Sequence, residues 1–425
     1  VYTGDVKDYD ATYTIPTVIL KVVGIRIFLK DTKLKSICWN FYFWFNFVSI
    51  LISCMLESIN MFSMASVGTF VDLFTMMPCV GYLIIGTCKA FKIKRYYYVY
   101  KNLVEELRDM WPNGPITEEE HKVMNDALRR VRFIIKGNRN STMALGSIFN
   151  GPPLIAWVKN RLGFDTELLM PFFFWLPFDQ FKTGRFEAIY FTQCFLCKYL
   201  LTTMRIPGYM MSADLLYCIF LCHITTQFSL LSIRIKKFIY VPIDDQLLES
   251  YPLGTYSKKY LESQSNPIHD EETQEKLAAE LFSIIQRHRA LIRLSSDVES
   301  MYTFSLLVNF VNSSVIICFC LFCCAFVEKW NEFIYKMFLI TSTLQTWMLC
   351  WYGQNLISTS TGVAESLYNC GWYTGSSKIK KSIFIMINRS QKQVHITTCG
   401  FSIISLASYA TILKTSWSYF TLLIN

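Results

Sequence analysis

The sequence predicts an all-α membrane protein: seven transmembrane helices with inverted topology, N-terminus inside and C-terminus outside, and a cytoplasmic helical anchor domain. Three observations carry this. Only 17% of the 425 residues are charged while 52% are apolar, too few charges to coat a soluble domain, where about 25% is usual. Asp, Glu, Lys and Arg are missing from 36–56, 140–158, 215–233, 300–327 and 337–364, runs close to the roughly 20 residues that cross a bilayer as a helix. The segments between spans place 30 Lys and Arg on one side against six on the other, and the positive-inside rule puts the 30 in the cytoplasm.

Residues 1–37 are expected to form a cytoplasmic N-terminal segment, polar and charged, without the apolar core of a signal peptide. Spans follow at about 38–58, 65–88 and 140–158, the third helix beginning inside near residue 130. The segment 188–233 is twice one span yet holds only Lys198, Arg205 and Asp214. Splitting it at Arg205-Ile206-Pro207-Gly208 would leave nearly equal numbers of cations on the two sides. It is therefore read as one fourth span, with Pro207-Gly208 a kink or the point where the helix leaves the membrane. Residues 38–233 thus make transmembrane helices 1–4.

Residues 234–300 read as a cytoplasmic loop and a helical extension. Pro242, Pro252 and Pro267 mark 241–271 as the loop. Beyond it, Leu277, Leu281, Ile284, His288, Leu291, Ser295 and Val298 recur at three- and four-residue steps, an apolar stripe that enters the fifth span without Pro or Gly. One helix from about Glu272 to Val327 is implied, roughly 80 Å long at 1.5 Å per residue. Transmembrane helices 5 and 6 fill 301–357. A second inner apolar patch, Ile383 to Ile387, follows Lys378, Lys380 and Lys381 within 358–396, so a cytoplasmic helical bundle is expected there. Residues 397–425 form the last span.

This orientation is the reverse of a G-protein-coupled receptor, and neither Asp-Arg-Tyr nor Asn-Pro-x-x-Tyr occurs. The fifteen cysteines sit in or beside apolar runs and read as packing residues. The five histidines form no metal-ligand spacing. Motifs of zinc hydrolases, phosphate loops and nucleophile elbows are missing. No catalytic residue, metal or cofactor is expected, and an enzyme reading has nothing to stand on. The +9 net charge lies in loops beside spans, where it sets topology rather than binding nucleic acid. Asp72, within the second span, is either a hydrogen-bond partner between helices or a functional carboxylate. The sequons at Asn140, Asn312 and Asn388 fall in spans or in the cytoplasm, so no glycan is expected.

The outer halves of the spans are rich in Met and aromatics: Met61, Met64 and Phe70, then Phe149 and Trp157, then Ile189, Tyr190 and Phe191, and finally Met337, Phe338 and Thr341. Such walls suit a small volatile or lipophilic molecule held by dispersion, with one or two polar groups to orient it. The ligand-binding residues expected are Met64, Phe70, Phe149, Ile189, Tyr190, Phe191, Phe338 and Thr341.

The C-terminal third resembles the insect odorant receptor family, through Trp351-Tyr352-Gly353-Gln354-Asn355-Leu356-Ile357, Ala364-Glu365-Ser366-Leu367-Tyr368-Asn369-Cys370-Gly371-Trp372-Tyr373 and Ala410-Thr411-Ile412-Leu413-Lys414-Thr415-Ser416-Trp417-Ser418-Tyr419-Phe420. Arg287-His288-Arg289-Ala290 and Leu176-Pro177-Phe178-Asp179 also look like the family. The resemblance implies an odorant receptor tuning subunit in a directly odorant-gated, non-selective cation channel, a heterotetramer with a common coreceptor subunit. Its partners would be a small volatile organic ligand, the coreceptor and the lipid bilayer, and its place the plasma membrane of a sensory-neuron dendrite. It further implies that the last span splits into an anchor helix near 376–394 and a pore-lining helix. Tyr419, Leu422 and Asn425 would then lie at the pore and gate, Leu422 in a ring of apolar side chains that dewets the path. Lys414 is expected to face away from the lumen or to lie low, where water is wide. A gustatory receptor channel is the near alternative, and a metabotropic seven-helix receptor a more distant one.

Overall fold

The computed structural model describes residues 2–22, 24–26, 33–67, 70–164, 166, 168, 170, 174–178, 181–182, 184–196, 205–239, 271–326 and 332–424. The loop expected at 241–271 therefore lies outside the described residues, all but Glu271, as do Asp179 and Asn425. Three elements open the chain where only a polar segment was expected. Strand β1 (Tyr2–Gly4) pairs antiparallel with β2 (Gly114–Ile116), Tyr2 opposite Ile116. Helices α1 (Val6–Thr12) and α2 (Thr14–Val22) follow, α1 capped by the Asp5 side chain, which accepts from the Lys7 amide at 2.8 Å. Tyr9 and Leu20 from this pair are fully buried.

Helix α3 (Lys33–Val67) is 35 residues long. Its buried stripe is Phe43, Asn46, Ile50, Ser53 and Glu57, while Phe41, Phe45, Ile52, Met55 and Phe62 stand exposed, the pattern of a helix with one face on protein and the other on lipid. Helix α4 (Phe70–Arg95) returns beside it, and α5 (Tyr97–Asp109) buries Tyr100, Leu103, Val104 and Leu107. Helix α6 (Glu118–Arg161) begins well before the expected residue 130, because Thr117 and Glu120 form a reciprocal capping box and three glutamates fill the first turn.

Helices α7 (Arg185–Leu196) and α8 (Arg205–Phe238) bracket residues 197–204, which lie outside the described set. Pro207 stands in the first turn of α8, where its missing N–H breaks no helical hydrogen bond. Every residue from Ser212 to Phe228 is buried. Helix α8 is the axis of the bundle, with α2, α4, α6, α9 (Glu271–Phe326) and α10 (Glu332–Tyr368) packed on it. Helix α9 is the expected single 56-residue rod, about 84 Å at 1.5 Å per residue. The helices that hold Lys33–Met64, Ser212–Phe238 and Gln274–Phe326 are long and apolar enough to cross a membrane.

After a short 3-10 turn at Trp372–Thr374, α11 (Ser377–Gln391) packs on α10 and α9. The last helix, α12 (Leu406–Ile424), starts nine residues later than the span expected from 397. A tight hairpin takes up the difference: Thr397 bridges Ile403, and Cys399 and Gly400 turn through φ of 52° and 81°. Thr303 of α9 pins it, donating to the Thr397 carbonyl at 2.8 Å and accepting from the Cys399 amide at 2.6 Å.

Candidate functional site

Three parts of the bundle carry polar chemistry in an apolar setting. The first is an apolar cluster apart from the main core, between α4, α9 and α10: Ile316, Cys320 and Phe338 are buried, with Cys79, Tyr82 and Leu339 against them. The Tyr82 ring stacks on Phe338, centroids 5.2 Å apart and planes at 23°. One turn along α9 from Ile316, Asn312 lies hard against Gly81, where a Cβ would stand 2.7 Å from Asn312 Oδ1. The Tyr82 hydroxyl and the Asn312 side-chain N–H2 are buried without a well-formed hydrogen bond. Two buried donors beside an aromatic wall suit a small lipophilic molecule with one polar group to orient.

Of the residues expected from sequence to bind ligand, Phe338 and Thr341 fall at this place on α10, both buried, the Thr341 hydroxyl donating to the Met337 carbonyl at 2.7 Å. Ile189 and Tyr190 belong instead to a second cluster, with Met170, Phe186, Trp157 and Leu168. There Phe186 lies parallel to Tyr190 at 5.9 Å, and Arg161 pairs with Glu187 at 2.6 Å. Backbone N–H groups of Glu187 and Gly184 hold the Glu187 carboxyl down at about 2. Met64 sits half-buried near the end of α3. The side chains of Phe70, Phe149, Phe191 and Asp72 lie outside the described residues. Tyr82 and Ile316 were not singled out, Cys320 was read with the other cysteines as packing, and Asn312 was noted only as a sequon; Asn309 and Asn312, the two asparagines of the charge-free stretch 300–327, were the available signal.

The second part is an ion pair. Lys89 of α4 donates to both oxygens of Asp214 on α8, at 2.7 and 2.8 Å, and reaches Asn309 Oδ1 of α9 at 3.5 Å. Gln345 of α10 donates to the second Asp214 oxygen. Four helices meet at one buried ion pair. In the sequence Asp214 is one of three charges within 188–233 and Lys89 follows the second span; nothing in their spacing joins them.

The third part is α12. Ile412 and Ser416 face the bundle, Ser416 donating to the Ser314 carbonyl at 3.1 Å. On the opposite side Thr411, Lys414, Ser418, Thr421 and Leu422 are all exposed, within an arc of about 100° at 3.6 residues per turn. The hydroxyls on this arc bond back to their own helix, Thr411 to the Ala407 carbonyl and Ser418 to the Lys414 carbonyl, each at 3.0 Å. Leu422 is the one apolar member, 76% exposed, while Trp417 and Tyr419 flank the arc. Lys414 stands exposed on this open face.

Toward the Glu271 end of α9, Arg287 donates to the Met110 carbonyl at 2.6 Å and to Gln227 of α8, and burial lowers its pKa. One residue on, His288 sits 3.4 Å from the Ser390 hydroxyl of α11. Burial, and after it the Arg389 charge, push the imidazole down to about 4.

Comparison with known proteins gives one consistent answer. The sequence pattern described as 7tm odorant receptor matches residues 69–417. The chain is similar to Odorant receptor 67c of Drosophila melanogaster, 26% identical over 96% of this chain and 94% of the relative. It is similar to Odorant receptor 85b of the same fly at 24% identity, over 94% and 95%. Its fold matches the insect olfactory receptor OR5 of Machilis hrabei with a TM-score of 0.80 at 16% identity, covering 98% of this chain and 99% of that one. The same receptor solved in complex with eugenol matches at 0.78.

Proposed function

From the premise that the chain belongs to the 7tm odorant receptor family, an all-α membrane fold of seven transmembrane helices, we propose that it is the tuning subunit of a directly odorant-gated, non-selective cation channel. It assembles with a coreceptor subunit, N-terminus inside, in the plasma membrane of a sensory dendrite. A small volatile ligand enters the outer half of the bundle, and Leu422 belongs to the gate. The observation that carries this reading is the open face of α12. A lysine within a bilayer-spanning helix almost always faces protein or water rather than lipid, so the exposed Lys414 supports water beside the face of α12 that also carries Thr411, Ser418 and Thr421. Leu422 at the far end of the same face is placed to dewet such a path.

Tyr82, Phe338, Thr341 and Asn312 give the ligand its apolar wall and its donors. The eugenol complex of the Machilis hrabei receptor supports a lipophilic ligand carrying an oxygen. Ligand binding drives opening to the extent that its affinity differs between closed and open arrangements. The deciding experiment is current in nucleotide-free excised patches from cells expressing this chain with and without the coreceptor, under a volatile panel. Odorant-evoked cation current only when both are present supports the reading. Responses confined to intact cells would favour a second-messenger receptor and remove the pore from α12.

A further inference from the structure

We propose that Lys414 is the fixed charge on the ion path of this subunit, setting its cation conductance and making a ring of four identical copies a poor cation pore. The inference rests on the channel reading above and adds to it a residue that determines ion throughput.

Lys414 lies eight residues from each of Leu406 and Leu422, so about 12 Å of helix separates it from either. It therefore cannot reach the N-terminal turn of α12 or the Leu422 level by extending its side chain. It is exposed on the same arc as Thr411, Ser418 and Thr421. Between Leu406 and Ile424 the helix holds no Asp or Glu, and the ion pairs found among the described residues do not include Lys414. The neighbouring hydroxyls are bonded to their own backbone, so nothing on the arc offsets the ammonium.

In water-filled space one such charge about 7 Å from a passing ion lowers the local cation concentration roughly two- to threefold, an effect that salt screens over about 8 Å. Four copies at one level would compound the exclusion. Partner subunits that present an uncharged or acidic side chain on the corresponding turn would relieve it. The lysine thus supplies a reason, within this chain, for a mixed ring.

Single-channel recording of the assembled receptor tests the inference. Lys414→Gln should raise unitary cation conductance about twofold. Lys414→Glu should raise it further and increase calcium permeability relative to sodium. Lys414→Arg should leave both unchanged, and odorant potency should stay within about twofold in all three. If currents are evoked but Lys414→Glu alters neither conductance nor divalent permeability, Lys414 is off the path and the channel reading survives. If no odorant evokes current in excised patches of wild-type receptor that has reached the membrane, both fall.

Discussion

Lys89 and Asp214 meet inside the bundle with Nζ 2.7 Å from Oδ1, neither side chain more than 7% exposed. A buried pair of this kind adds little over an apolar substitute, but breaking it leaves an unpaired charge. Lys89→Met should therefore destabilise the detergent-solubilised protein by about 3–5 kcal/mol, read as a lower thermal unfolding midpoint. Lys89→Met combined with Asp214→Leu should recover most of the loss. A double variant as unstable as the single one would show that the pair does not act as a unit.

The opposite sign is expected at Glu57. Its side chain is buried on the inward stripe of α3, and among the described residues neither carboxylate oxygen has a hydrogen-bond partner. Removing a buried unsatisfied polar group gains about 1–3 kcal/mol. Glu57→Leu should raise the unfolding midpoint; a fall instead would mean that the carboxylate finds a partner once subunits assemble.

Phe338→Ala removes the ring that Tyr82 stacks on. The dose response to activating volatiles should move to about tenfold higher concentration, a loss of about 1.4 kcal/mol, with reversal potentials unchanged. Met64→Ala should also shift potency without touching selectivity. If neither substitution moves potency across a broad panel, the outer-half pocket is misplaced.

His288 gives the inner bundle a dependence on pH. Its imidazole titrates near 4 in the fold against 6.5 when free, so the unfolded chain takes up the proton first as pH falls. The stability that neutral His288 contributes is fully present above about pH 6.5 and is lost between 6.5 and 4. His288→Gln should flatten that limb when unfolding midpoints are plotted against pH, and an unchanged slope would assign it to other groups.

Leu422→Ala should leave the unfolding midpoint within about 0.5 kcal/mol of wild type, as for an exposed position, because the side chain touches little of its own subunit. Current in the absence of odorant should rise, since a smaller side chain weakens a hydrophobic barrier. Unaltered basal current would move the gate elsewhere on α12.

Sequence patterning went furthest where one periodicity ran long. The stripe from Leu277 to Val298 and the Pro- and Gly-free passage into the next span gave α9 within one residue at each end. It went least far where structure depends on short elements or on remote partners. The helices of seven and nine residues after Asp5 have no window in which an apolar stripe can declare itself. Their burial comes from Tyr9, whose hydroxyl donates to the Val104 carbonyl 95 residues away at 2.9 Å. The start of α12 was missed because Thr397 to Ile404 is apolar enough to read as helix, while its backbone is turned by Cys399 and Gly400 and held by Thr303. Aromatic enrichment pointed to Phe338 and Tyr190 alike; only the packing assigns them to separate clusters.

The burial of α8 on every side from Ser212 to Phe228 also constrains how the protein is made. Asp214, His223 and Gln227 lie on that helix, and each meets a partner remote in the chain, Thr12 at 3.1 Å for His223 and Arg287 for Gln227. Of the groups that receive the Asp214 carboxylate, Lys89 precedes it in the chain, whereas Gln345 follows by 131 residues. Insertion therefore cannot conclude helix by helix in the order of synthesis. A chain cut short within α9 is then not a smaller receptor but an unfinished one, its Asp214 paired with Lys89 yet still without Gln345.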